Sequence, residues 1–316
     1  MDQDSGFPDR WGLRTRLGYH LSAFSPPGVL RSDRAVISVP IGKRENSVPK
    51  PRYDLVVMDL DGTLLNEHSQ VSTRTRAALE KASAAGVAIA VATGRSYPLV
   101  RYFTDGLPLT GPQITYNGAV VVDPVTGKPT FLQAVPTAQV GPVLAFLREW
   151  GVFSCYYTED TIFIEGHAPL ERALVPPDFP KQPVVVDDFS SLMHLPCLKV
   201  VAVAQADVIA GLRPRAEEVF GQHLYVTQTS SVLLEFLHPA VSKGAALREA
   251  MAYLGLDPAR VIAFGDGHND IDLLQAAGMG VAMGNADEEV RAVADLVAPA
   301  NTEDGIAQVL DRLLWA

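Results

Sequence analysis

The string Asp59-Leu60-Asp61-Gly62-Thr63 sets two carboxylates two residues apart, directly after an apolar run at residues 53–58. The glycine and threonine behind the pair permit a turn that points both acids into one crevice, although D-x-D alone reads equally as an exposed acidic turn. Three further strings occupy equivalent settings. Thr93-Gly94-Arg95 follows a second apolar run, where a hydroxyl and free backbone N–H groups can hold an anion. Ser242-Lys243-Gly244 opens a helical stretch, so a cation and the positive end of a helix are presented together. Gly265-Asp266-Gly267-His268-Asn269-Asp270 follows a third apolar run and leads into another helix. Each string alone can be a turn, a cap or a loop. All four, in this order and each at a strand end or helix start, describe one site where acids, a cation and anion-holding groups converge.

The elements that must position these strings alternate. Residues 53–58 (YDLVVM) and 87–92 (VAIAVA) are continuous apolar runs of strand length, as expected for strands buried on both faces. Between them Ser72-Thr73 can cap a helix that runs to about Ala85 and stops at Gly86. A helix over 97–103 and a strand over 113–116 follow. The alternation resumes with helix 243–254, strand 261–264, helix 270–277 and strand 279–282. Helix 286–294, strand 296–298 and helix 305–315 close the chain. This pattern predicts an α/β fold, a doubly wound and mostly parallel sheet with helices on both faces. Ligands bind such sheets beyond the carboxyl ends of the strands, where the acidic and Thr-Gly strings fall.

Between these halves the texture changes. Asp123-Pro124-Val125-Thr126-Gly127 is a turn between strand-like flanks, and Glu159-Asp160 separates runs at 153–158 and 161–164, so both read as hairpins. Helices are expected over 137–150 and 206–220, and strands over 199–204 and 224–229. Only 32 positions separate Asp61 from Thr93, which a loop, a helix and a strand consume, whereas 150 separate Thr93 from Lys243. Residues 123–231 are therefore expected as an inserted α+β cap within a core of 53–122 and 232–316. Hinges are expected near Val122 and Ser231.

On these strings the chain resembles the haloacid dehalogenase-like phosphohydrolase superfamily, and within it the Cof-type subgroup, over about residues 53–316. Asn117-Gly118-Ala119 resembles the Asn-Gly segment at the core-to-cap passage, and VIAFGDGHNDIDLL followed by MGVAMGNA adds to the likeness. The four strings show no departure from the family pattern. The resemblance implies a magnesium-dependent phosphatase of small phosphorylated metabolites: sugar phosphates, pyridoxal phosphate or flavin-related phosphates. Specificity is then expected to lie in the cap.

Beside that resemblance the residues supply a chemistry. Asp59 attacks phosphorus and forms an aspartyl-phosphate, while Asp61 protonates the departing alcohol and later takes a proton from water. Thr93, the Gly94 N–H, Lys243 and Asn269 hold the phosphoryl oxygens. A carboxylate and a phosphate at about 4 Å repel by about 4 kcal/mol even at an effective dielectric of 20, so a divalent cation is expected to bridge them. Magnesium suits carboxylate oxygens: Asp59 and Asp266 are the expected ligands, and the resemblance adds the backbone carbonyl of Asp61. Asp270 is expected to orient Lys243 or a metal-bound water. Two alternatives remain open: a phosphomutase using the same aspartyl-phosphate, and a non-catalytic phosphate-binding protein, which has little need of the second acid.

Composition bounds these readings. The 316 residues are 47% apolar, enough for sizeable cores in about two domains, and no run of about 18 uncharged apolar residues could span a membrane. Two cysteines, Cys155 and Cys197, make neither a disulfide framework nor a four-thiolate zinc site, so a cytoplasmic location and buried cap thiols are expected. A net charge of −10 argues against coating nucleic acid. Residues 1–52 differ, with nine Lys/Arg against five Asp/Glu and repeated prolines, and are expected as a disordered leader. Arg95 can lie near the phosphate or pack on the surface, His268 is expected as a loop residue, and Trp150 and Phe153 as cap core. His167, in a cap loop, is a candidate to meet substrate.

Overall fold

The apolar runs assemble into sheets in the computed structural model, which describes residues 50–166 and 174–315. β1 (Leu55–Met58), α1 (Thr73–Ala84), β2 (Ala88–Val91) and α2 (Tyr97–Phe103) open the fold. β3 (Gln113–Thr115), β4 (Val120–Val122) and β5 (Pro129–Leu132) follow as an antiparallel meander. α3 (Thr137–Glu149), β6 (Phe153–Tyr157), β7 (Ile162–Glu165) and β8 (Val184–Val186) begin a second layer. β9 (Lys199–Val203), α4 (Ala206–Phe220), β10 (Tyr225–Ser230) and β11 (Leu233–Leu237) complete it. α5 (Lys243–Leu254), β12 (Val261–Gly265), α6 (Ile271–Ala276) and β13 (Met279–Ala282) return to the first layer. α7 (Glu288–Val293), β14 (Leu296–Val297) and α8 (Gly305–Leu313) finish the chain.

The first sheet has the order β14-β13-β12-β1-β2, and every neighbouring pair is parallel. β1 shows why its sequence is apolar throughout. Val56 and Met58 pack on one face with Leu79 of α1 and Ile306 and Leu310 of α8. Leu55 and Val57 pack on the other with Leu247 and Met251 of α5 and Leu273 of α6. Side chains alternate across a strand, so burial on both faces leaves no polar position. The expected doubly wound α/β sheet is present.

The run at 113–116 behaves differently from its expected place in this sheet. β3 pairs beside β2 through the isolated bridge Ala92–Ile114, with the Gln113 side chain accepting from the Val91 N–H and donating to the Ile89 carbonyl, and gives its other edge to β4. The six-stranded sheet has the order β10-β11-β9-β6-β7-β8 and is antiparallel except for β7 and β8. Strand pairing also runs across both expected edges of the insertion. Asp123 lies in the turn of the β4–β5 hairpin, both of whose strands belong to the meander. Residues 233–237, expected in the core, are β11 and pair with β10 and β9. α3 and α4 cover one face of this sheet through Val140, Leu144, Ile209 and Leu212, packed with Tyr156, Val200 and Phe236. Its other face sets Cys155, Tyr157 and Val201 against Leu99, Tyr116 and Val120.

Cys155 and Cys197 are buried free thiols. Phe153 packs on the second sheet, while Trp150 stays 40% exposed beside Phe146. Among the described residues no helix is long and apolar enough to cross a membrane. The leader up to residue 49 and His167 lie outside the described residues.

Candidate active site

Asp59 is the first residue past β1, and its N–H donates to the Phe264 carbonyl at 2.9 Å, which continues the parallel ladder to the site's edge. The chain then turns at Gly62 with φ +80°. A Cβ there would lie 2.2 Å from Asp266 Oδ2, so both the backbone conformation and the close approach demand glycine. Thr63 donates its hydroxyl to Asp266 Oδ1 at 2.6 Å, joining the first string to the fourth.

Lys243 is the first residue of α5, whose Ser242 cap accepts from the Ala245 N–H. Its ammonium is 1% exposed and donates to Asp59 Oδ1 at 2.5 Å and Asp270 Oδ1 at 2.6 Å. Asp270 Oδ2 accepts the backbone N–H groups of Asp266 and Gly267 at 3.0 and 2.9 Å. Asp270 is thus committed at both oxygens to holding the lysine and the loop. Burial, with the neighbouring carboxylates Asp270 and Asp266, raises Asp59 well above the usual carboxylate range despite Lys243. Burial likewise lifts Asp266 to about 6, against the hydrogen bond from Thr63. Burial works against the Lys243 ammonium, but Asp270 and Asp59 outweigh it and raise its pKa.

Carboxylate oxygens of Asp59, Asp266 and Asp270 lie within 4.8 Å of one another. Among the described residues Asp59 Oδ2 accepts no hydrogen bond, and Asp266 Oδ2 has only a 3.5 Å approach from Asn285. Two buried acids and the partly buried Asp266 against one lysine, with hard oxygens left open on Asp59 and Asp266, fit a divalent cation such as magnesium. The raised Asp266 pKa sets a pH dependence. Because it lies above the ordinary 3.8, protonated Asp266 stabilises the metal-free fold below about pH 4, and that contribution is lost as pH rises through about 6. A cation binds only the ionised form. The rise in melting temperature on adding magnesium is therefore expected to be largest near neutrality. Below about pH 6 apparent affinity should fall about tenfold per pH unit for each proton displaced. A magnesium effect that grows on acidification would exclude these ligands.

Thr93 is buried; its hydroxyl accepts the Arg95 N–H at 3.2 Å, and its carbonyl accepts the Asn117 N–H at 2.9 Å. No group among the described residues takes up the Gly94 N–H. Asn269 donates one carboxamide N–H to Asn117 Oδ1 at 3.0 Å. Asn117 sits at φ 54° in the left-handed region that asparagine tolerates. Gly118 follows at φ 101°, where a Cβ would meet the Ser242 carbonyl at 2.2 Å, so this turn packs directly on the start of α5.

Arg95, expected near the phosphate or packed on the surface, lies between the acidic string and α2. Its guanidinium grips Asp61 in a bidentate pair at 2.6 and 2.7 Å and lies 4.5 Å above the Phe103 ring. Asp61 is consequently turned to Arg95, while Asp59, Lys243, Asp266 and Asp270 form one cluster. His268 is half exposed in its loop near Asp287 and Glu289. Sequence reasoning missed Thr63, Asn285, Lys199 and Glu235. Lys199 and Glu235 carried a signal, since each is a charge inside an apolar strand run, KVVAV and LLEFL.

Parallel sheet, helices on both faces and an acid–lysine cluster at the strand ends together define an α/β enzyme core. The haloacid dehalogenase-like hydrolase family model matches residues 56–310, so the chain belongs to that family, and the expected resemblance is borne out. It is 30% identical over 267 residues to pyridoxal phosphate phosphatase YbhA of Escherichia coli, covering 81% of this chain and 97% of that one. It is 28% identical over 274 residues to the chloroplastic endoribonuclease YBEY of Arabidopsis thaliana, covering 83% of this chain but only 47% of that longer protein. The crystal structure of a haloacid dehalogenase-like hydrolase from Bacteroides thetaiotaomicron superposes with a TM-score of 0.74 at 26% identity, covering 83% of this chain and all of that one.

Proposed function

We propose that the protein is a magnesium-dependent phosphatase of small phosphorylated metabolites, in the range of sugar phosphates, pyridoxal phosphate or flavin-related phosphates, acting in the cytoplasm. The observation that carries this reading is the buried Lys243 ammonium between Asp59 and Asp270, beside a third carboxylate, Asp266, with an open oxygen. Lys243 neutralises Asp59 on one oxygen and leaves the other to attack phosphorus. As the Asp59–phosphorus bond forms, the bond from phosphorus to the leaving oxygen breaks. Thr93, the Gly94 N–H, Lys243 and Asn269 hold the phosphoryl oxygens in this step.

Asp61 gives its proton to the departing alcohol and takes one from the water that cleaves the aspartyl-phosphate. Both of its oxygens accept from Arg95, so the guanidinium must release Asp61, which takes up a proton from solvent before passing it to the alcohol. Asp59, Asp266 and the Asp61 backbone carbonyl would hold magnesium, which supplies charge neutralisation between nucleophile and phosphate. Asp270 orients Lys243. The six-stranded layer is the cap, and residues facing the site from it set specificity.

Purified protein should release phosphate from p-nitrophenyl phosphate with magnesium and lose that activity in EDTA. Asp61→Asn, which cannot pass a proton, should lower turnover by about 10²–10⁴-fold. Isomerisation of hexose phosphates without net phosphate release would replace the phosphatase by a mutase. Binding without turnover would leave a phosphate-binding protein.

A further inference from the structure

A chain of hydrogen bonds runs from the six-stranded sheet into the phosphate-facing loops. Lys199 of β9 donates to Glu235 Oε1 at 2.7 Å and to the Gly94 carbonyl at 2.9 Å. Thr229 also donates to Glu235 Oε1, at 3.0 Å. Glu235 Oε2 accepts the Asn117 carboxamide N–H at 2.8 Å, and Asn117 Oδ1 accepts from Asn269. Lys199, Glu235 and Asn117 are 4%, 2% and 0% exposed, so water cannot substitute for a lost partner.

We propose that Glu235, oriented by Lys199, is a positioning residue: it sets which way the Asn269 carboxamide donates, while Lys199 pins the Gly94 peptide. This rests on the assignment of Asn269 and Gly94 to phosphate. An ionised carboxylate only accepts, whereas a carboxamide can present either end. Glu235 therefore forces Asn117 to turn its NH₂ toward it and its oxygen toward Asn269. That oxygen in turn holds one Asn269 N–H and leaves the second to the substrate. The inserted sheet thereby fixes a phosphate donor it does not itself carry.

Glu235→Gln tests the polarity at nearly constant shape. Lys199 and Thr229 keep the glutamine oxygen, so its NH₂ faces Asn117, which must reverse and set its own NH₂ against that of Asn269. Competitive inhibition by inorganic phosphate should weaken by about 10–100-fold, the worth of one hydrogen bond to a charged group. On an Asn269→Ala background the same substitution should add less than about twofold, because the two residues act through one link. Equal losses on both backgrounds, or a lowered melting temperature with unchanged phosphate inhibition, would overturn the proposal. If Asn269→Ala alone leaves phosphate inhibition unchanged, the phosphate assignment itself fails and takes the proposal with it. Should Glu235→Gln not fold, Asn117→Gly keeps the φ of 54° accessible and cuts the same link. It should show the same non-additive loss, and unchanged phosphate inhibition there would also overturn the proposal.

Discussion

Asp59→Asn should lower turnover of p-nitrophenyl phosphate on the order of 10⁴-fold or more, since under the proposed mechanism it removes the nucleophile rather than a contact to it. The same substitution should leave the melting temperature of the metal-free protein unchanged or raised. Asp59 is 6% exposed, and burial together with Asp270 and Asp266 disfavours its charge even with Lys243 attached. A neutral carboxamide of the same shape relieves that repulsion and still accepts from Lys243. Loss of activity with retained or increased stability separates a chemical role from a structural one. Full activity in this variant would end the nucleophile assignment. Collapse of the fold would show that the charge is needed for packing.

This opposition of activity and stability also explains which parts of the molecule were legible before the structure. The strings at Asp59, Thr93 and Asp266 could be placed because each follows a strand buried on both faces, where an apolar run and its abrupt polar end are local signals. The edge of the insertion was not local. LLEFL reads as an apolar run wherever it belongs, and only its pairing with β10 and β9 assigns residues 233–237 to the six-stranded sheet. Arg95 presented the same problem in side-chain form. Its neighbour in sequence is Gly94, but its partner is Asp61, 34 residues away. Lys199 and Glu235 were visible as misplaced charges, yet their meeting depends on the register of β9 against β11.

Lys243→Met should cost about 3–5 kcal/mol of stability, because it leaves two buried carboxylates, Asp59 and Asp270, facing each other with the cation they share removed. In a domain of this size that corresponds to a melting temperature lower by roughly 10 °C. The deficit should depend on pH. Asp59 is already raised and Asp266 titrates near 6 with the lysine present, and without it both bind protons more readily. Protonation then neutralises the uncompensated charge, so the deficit relative to wild type should be large at about pH 8 and shrink below about pH 6. Adding Asp59→Asn to Lys243→Met should recover part of the loss at neutral pH, since one of the facing charges is gone. Magnesium should recover part of it too, through the open oxygens of Asp59 and Asp266, while under the proposed mechanism turnover stays low for want of the Lys243 ammonium. Thermal melts across pH with and without magnesium decide the matter. A deficit that neither acid, Asp59→Asn nor magnesium reduces would mean that Lys243 contributes through the packing of its methylene stem, not by balancing the acids of the site.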